Sequence, residues 1–241
     1  MINCAGFGIS GAVEFTSMEQ AKAQFDVNFF GTVTVNKAVL PFMRHQGKGH
    51  IVNISSVAAV AHIPFQTFYS ASKAAVSSYS YALANEVKPY GIHVTVVELG
   101  DICTGFTKAR QKSILGDDEY GGRISRSVSQ MEHDEQNGMD PARIGRYIAG
   151  IVEKKKPAVV YVAGAQYKFL SLFVQASARR STRKDRGENI RVTGALLRKA
   201  AKRGYVRRPQ AAPFILPVIL EASLCAAVPV RGSRALRHNF C

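Results

Sequence analysis

The run Ile51-Val52-Asn53-Ile54-Ser55-Ser56 limits what this chain can fold into more than any other segment. A strand with one face in water alternates apolar and polar residues. This one is apolar and β-branched almost throughout, so it reads as a parallel strand buried on both faces and ending in hydroxyls. Parallel strands need helical crossovers, and the rest of the first 175 residues supplies them. Met1 to Cys4 reads as a short strand. Ser17-Met18-Glu19-Gln20 is a capping box opening a helix toward His45, bent near Asn28 and Gly31. Residues 50–55 are the next strand, and 68–88 a helix stopped by Pro89-Tyr90-Gly91. Ile92 to Glu98 is a strand, 104–139 a polar and glycine-broken stretch, and Asp140-Pro141 opens a helix to about Lys155. Ala158 to Val162 closes the series as a strand. The expected fold is α/β, a doubly wound parallel sheet.

Ligands of open α/β sheets sit beyond the strand carboxyl ends. Ser56 ends the first strand above, and the helix that follows carries Tyr69 and Lys73. Four-residue spacing stacks that phenol and ammonium on one helix face. A nearby lysine favours the phenolate and is expected to draw the tyrosine down from its usual value near pH 10. Ser56 and Tyr69 can then converge on one substrate oxygen, a carbonyl or a hydroxyl. With nine tyrosines in the chain, Tyr-x-x-x-Lys alone is weak, and its bland reading is a solvated helix face. Its weight comes from its neighbours.

Together these residues resemble the short-chain dehydrogenase/reductase family over about the first 170 positions. Asn3-Cys4-Ala5-Gly6 is similar to the family's Asn-Asn-Ala-Gly turn, with Cys4 in place of the second asparagine. Asn28 in Asp26-Val27-Asn28-Phe29-Phe30-Gly31 matches its helix asparagine, and Ser56, Tyr69 and Lys73 match its serine, tyrosine and lysine. Leu99-Gly100-Asp101-Ile102-Cys103-Thr104 resembles its Pro-Gly-x-x-x-Thr turn, with Leu99 in place of proline.

The resemblance implies an oxidoreductase moving a hydride between NAD or NADP and a ketone or secondary alcohol. It makes Tyr69 the acid or base, with Lys73 supporting it and gripping the nicotinamide ribose. Ser56 holds the substrate oxygen beside Tyr69, and Asn28 anchors a water relay behind Lys73. Asn28 could instead be a helix asparagine satisfied by its own backbone. Asn3, Ala5, Gly6, Gly100, Ile102 and Thr104 join Tyr69 and Lys73 as cofactor contacts, the 104–139 stretch becomes a flap over the substrate, and Ser55 is structural. In relatives the two long helices pack across a dimer or tetramer interface, so a homo-oligomer is implied.

Gly6-Phe7-Gly8-Ile9-Ser10-Gly11 also fits the Gly-x-Gly-x-x-Gly dinucleotide fingerprint. That fingerprint requires the helix to open at the glycines, whereas the capping box starts it later. Asp26, the acid at a suitable distance, falls inside the helix. The segment is therefore expected to be a turn beside the cofactor. On this alignment the family's first three strands and its true phosphate loop are missing. The Met1 to Cys4 strand is then an exposed edge prone to association, and the polypeptide should bind a dinucleotide poorly and turn over little or nothing.

The net charge of +15 is lopsided. Residues 1–175 hold 17 Lys plus Arg against 14 Asp plus Glu, whereas residues 176–241 hold 15 against 3. The first segment is an ordinary globular composition. The second, in which arginine displaces lysine, reads as an irregular or disordered basic tail, either a frame disruption near Gln175 or a genuine arm. It offers non-specific attraction to phosphates or anionic surfaces. No aromatic interleaving points to nucleic-acid readout, and Pro213, Pro217, Pro229 and Glu221 interrupt the apolar run 211–230 as a membrane span.

Cys4, Cys103, Cys225 and Cys241 lack metal-ligand spacing, so no metal is expected, and a reduced cytoplasmic setting fits. His62 reads as a loop residue. Two classes remain open: a small-molecule oxidoreductase, and a non-catalytic remnant acting as an oligomerisation or binding module with a basic tail. Phe65 and Phe68 hint at an apolar substrate for the first.

Overall fold

A computed structural model describes residues 1–171. The basic tail, the expected domain limit at residue 175 and the apolar run 211–230 lie outside the described residues. Four parallel strands form the main sheet: β1 (Ile2–Asn3), β3 (Gly49–Ser56), β4 (Ile92–Leu99) and β6 (Val160–Val162), adjacent in that order. Each strand pairs with its successor in the sheet, the pattern of repeated β-α-β crossovers. β1 forms one end of this order, and Ile2 there is exposed.

Period-two alternation divides β3 between two helical layers. Ile51 turns toward α2 (Gly31–Gln46) and α3 (Thr67–Val87), packing with Val94, Leu83, Ala84 and Val87. Val52 faces the other way and packs with Val97 and with Ile151 of α6 (Pro141–Val152). Helices therefore cover both faces, as a run without polar alternation demands.

The capping box at Ser17 and Gln20 opens α1 (Met18–Phe25), well past Gly11, and the dinucleotide-fingerprint reading is excluded as expected. The predicted bend is a single π-helical turn, Asp26–Phe30, joining α1 to α2. Such wide turns re-aim side chains, and this one carries Asn28. Gly47 and Gly91 end their helices in the left-handed conformation.

The 104–139 stretch departs from the irregular segment expected. It contains α4 (Phe106–Ala109), β5 (Gln111–Lys112) and the fourteen-residue α5 (Arg123–Gln136). β5 pairs in parallel with β2 (Ile9–Ser10), tying this region to the turn after β1. Ile124, Val128 and Met131 recur at helical spacing and pack on Ala12, Phe15 and Phe65. That apolar stripe was legible. Flanking glycines and a charged composition masked it.

Where α5 ends, Gly138 crosses the turn after β4. A methyl group there would lie 2.5 Å from the carbonyl carbon of Asp101 and 2.7 Å from the Ile102 nitrogen. Backbone bonds on both sides hold this crossing, Met139 N–H to Asp101 O at 2.9 Å and Cys103 N–H to Met139 O at 3.1 Å. Gly138→Ala should therefore lower stability by about 2 kcal/mol, an overpacking cost that urea unfolding would register as an earlier midpoint.

Candidate active site

Ser56, Tyr69, Lys73, Asn28 and Gly6 converge where β3, α3, the π-turn and the loop after β1 meet. Tyr69 and Lys73 are 9% and 5% exposed, so the pair is a buried one and not a solvated helix face. The Tyr69 phenol meets the Ser56 hydroxyl. Ser56 Oγ also accepts the Ala58 N–H at 3.1 Å, which fixes its rotamer at the strand end. Lys73 Nζ donates to the Ile54 carbonyl at 3.0 Å and lies 5.9 Å from the centre of the Tyr69 ring.

The electrostatics differ from the sequence expectation. Burial, opposed by the nearby Ser56 hydroxyl, pushes the Tyr69 phenol up to about 12, while burial pushes Lys73 down to about 8. Loss of water disfavours the charged form of each residue and is the largest influence on both. Lys73 keeps two donors beyond the one bonded to Ile54.

Asn28 is fully buried. Its Oδ1 accepts the Phe7 N–H at 3.0 Å, and its Nδ2 donates to the Phe7 carbonyl at 3.0 Å and to Ser72 Oγ at 3.1 Å. Its partners thus belong to the loop after β1 and to α3, not to its own turn. A methyl group at Gly6 would lie 3.1 Å from Asn28 Oδ1 and 3.4 Å from Lys73 Nζ. A side chain there would press on Asn28, so glycine suits this close approach. Ala5 is exposed beside it.

Asn3 turns away from this centre. Its amide donates to Asn36 Oδ1 at 2.7 Å and to Asn53 Oδ1 at 2.8 Å, and Asn53 in turn donates to Ser80 at 2.8 Å. Both amide protons are occupied in locking β1 to β3 and α2, so the side-chain oxygen and the backbone of Asn3 remain for a ligand. Ser55 likewise faces the helices, bonded to the Lys73 carbonyl at 3.0 Å and Ser77 at 2.8 Å.

Gly100 lies beneath the ring of Tyr167, which donates to Asp101 at 2.6 Å. Ile102 bridges to Met139, and exposed Thr104 accepts the Phe106 N–H at 3.2 Å. His62 is exposed in the loop before α3.

Three contributors escaped the sequence reading. The Phe106 ring packs 5.6 Å from that of Tyr69, the Arg110 guanidinium stacks 5.4 Å above Phe106, and Glu135 of α5 pairs with Arg110. Phe65 adopts φ of 61°, an uncommon conformation for an aromatic residue, and is held by the Gly11 N–H and the ring of Tyr120. Among the described residues no cluster of side chains is suited to a metal ion.

A family model described as short chain dehydrogenase matches residues 1–114. A 3-ketodihydrosphingosine reductase of Bacteroides thetaiotaomicron is 47% identical over 159 residues, 65% of this chain and 59% of that protein. A probable short-chain type dehydrogenase/reductase of Helicobacter pylori is 31% identical, over 73% of this chain and 65% of that protein. The chain thus spans about three fifths of the curated relatives it matches. The crystal structure of a short-chain dehydrogenase from Streptomyces avermitilis superposes with a TM-score of 0.68 at 30% identity, covering 76% of this chain and 68% of that one. By its fold, the arrangement of these residues and these similarities, the chain belongs to the short-chain dehydrogenase/reductase family.

Proposed function

We propose that this chain carries the nicotinamide-facing and substrate-facing parts of an oxidoreductase that transfers a hydride between NAD or NADP and a ketone or secondary alcohol. The observation that carries this reading is the buried Tyr69 phenol near Ser56, with the Lys73 ammonium beside its ring and the bare backbone of Gly6 close to that ammonium. A bound nicotinamide supplies or accepts the hydride.

The residues do the rest. Ser56 and Tyr69 hold the carbonyl oxygen, and their hydrogen bonds strengthen as negative charge develops on it. Tyr69 gives its proton to that oxygen as the alcohol forms, and Lys73 supports the phenolate left behind. The unused donors of Lys73 suit a ribose diol. The backbones of Ala5, Gly6, Gly100 and Ile102, with the Thr104 hydroxyl, are assigned to the same cofactor, and Asn28 positions the loop that carries Gly6.

The partly buried Phe65, Tyr120 and Met131, packed over the Ala12, Ile124 and Val128 core of this region, favour a ketone on an apolar skeleton. The Bacteroides relative, named for 3-ketodihydrosphingosine, agrees with that class. Exposed Met18, Phe30 and Phe42 on α1, the π-turn and α2 favour a homo-oligomer, and free Cys4 and Cys103 a cytoplasmic setting.

The Gly6–Gly11 turn opens no helix, so it offers no helix N-terminus to a pyrophosphate. Dinucleotide affinity and turnover are therefore expected to be low. Fluorescence titration with NADPH and NADH tests the reading. Weak but saturable binding of either supports it. Absence of any binding, with salt-sensitive retention on heparin, would replace it with the non-catalytic module.

A further inference from the structure

The flap contains a buried ion pair that the reaction above does not use. The Arg110 side chain is 1% exposed and that of Glu135 12%. Both guanidinium nitrogens of the Arg110 fork reach Glu135, and Thr107 Oγ1 adds a third bond to the same carboxylate at 2.7 Å. The pair joins the end of α4 to α5. Its position is also fixed from below, because the Gln111 N–H donates to the Gly8 carbonyl at 2.9 Å. A methyl group at Gly8 would stand 3.2 Å from Phe106 Cζ and 3.5 Å from Arg110 Nε. Gly8 therefore lets the loop after β1 press directly on both side chains.

The order of contacts has a direction. Glu135 holds Arg110, Arg110 stacks on Phe106 at 5.4 Å, and Phe106 packs against the Tyr69 ring at 5.6 Å. A surface ion pair contributes little, but this one is largely buried, where charges act on neighbours with less screening. Apolar side chains would fill that volume with less desolvation. A charged pair at the end of an aromatic stack leading to the phenol is the arrangement that can tune it.

We propose that the Arg110–Glu135 pair is a positioning device for proton transfer: through Phe106 it holds the Tyr69 ring in place, and its two opposite charges balance the field at the phenol. Neither residue touches the reacting atoms. The charged or titratable groups around Tyr69 are Lys73 on its own helix, Asp101 after β4, Arg110 after α4 and Glu135 on α5. Of these, Arg110 favours the phenolate, while Glu135 and Asp101 oppose it. Removing one member of the pair should therefore unbalance the field in a predictable sense.

This inference rests on Tyr69 being the proton donor, but its test needs no turnover. Tyr69 ionisation is read in the full chain from phenolate absorbance, taking the difference against the same background bearing Tyr69→Phe. Glu135→Gln keeps size and hydrogen bonding and leaves Arg110 unopposed, so the Tyr69 midpoint should fall. Arg110→Met leaves Glu135 unopposed, so the midpoint should rise. Arg110→Lys keeps the charge and should return it toward that of the parent.

A pair that only braces the flap would behave differently. Either substitution would then admit water, relieve the burial of Tyr69 and lower the midpoint in both variants. Shifts of one sign, or none, would overturn the proposal, and opposite signs would support it. Should Arg110→Met fail to fold, the Glu135→Gln and Arg110→Lys comparison decides alone: a lowered midpoint only in the former supports the proposal, and any other result overturns it. If hydride transfer is absent while the opposite shifts appear, the proposed reaction fails and the tuning device stands.

Discussion

Lys73→Met is expected to make the chain more stable at neutral pH while removing the group to which the proposed reaction gives the support of the Tyr69 phenolate. In the folded chain burial holds Lys73 at about 8, against an ordinary 10.5. The folded state therefore binds this proton less tightly than the unfolded state does. The sign follows from linkage: below about pH 8 the buried ammonium weakens the fold by the full amount, the penalty shrinks as pH rises from 8, and it is gone above the unfolded value.

At about 1.4 kcal/mol per pH unit the gross cost is on the order of 3 kcal/mol. Methionine would also lose the bond from Nζ to the Ile54 carbonyl, a contribution of about 1 kcal/mol. A net gain of about 2 kcal/mol at pH 7 remains, fading toward pH 10. Urea unfolding of both proteins across that range measures it. If the variant were the less stable at pH 7, or if the difference did not change with pH, Lys73 would not be the strained group described here. A residue that weakens its own fold at working pH is one whose retention asks for a functional reason.

Tyr69→Phe should reduce hydride transfer to a long-chain methyl ketone by about 10³-fold, within the range associated with a positioned general acid. The phenylalanine ring can keep its contact with Phe106, and the substitution removes only the hydroxyl near Ser56. Binding of NADPH should change little by comparison, because the backbones at Gly6 and Gly100 and the Lys73 ammonium are untouched. Single-turnover assays with protein in excess over NADPH detect slow transfer. A variant as fast as the parent would remove Tyr69 from the chemistry, and a variant that loses NADPH affinity in equal measure would make its role one of cofactor binding.

Much of the architecture was legible because each element satisfies a local rule. The β3 run had to be buried on both faces, the Ser17–Gln20 box had to start a helix, and Gly47 and Gly91 sit where left-handed residues end one. The spacing of Tyr69 and Lys73 placed them on one face of α3 before any tertiary contact was known. The missed α5 obeyed its own rule through Ile124, Val128 and Met131, but charged residues and flanking glycines diluted the signal.

Other features had no local signal. Asn3, Asn36, Asn53 and Ser80 form one interior network although they lie far apart in sequence, and nothing near Asn3 says that its amide points inward. Arg110 and Glu135 look like two more charges on a polar stretch until the β2–β5 pairing brings the flap back over the loop after β1.

The sequence by itself determined the parallel sheet, because periodicity and capping act over a few residues at a time, and its ordered motifs carried the family resemblance and the residue types at the candidate site. Only the tertiary structure decided the state of those residues. Packing removes water from Tyr69 and Lys73, so burial, a property of the assembled layers, drives the phenol upward and the ammonium downward. The same packing sets Phe106 and its ion pair against Tyr69, because side chains many residues apart acquire an interaction only when the chain between them folds back.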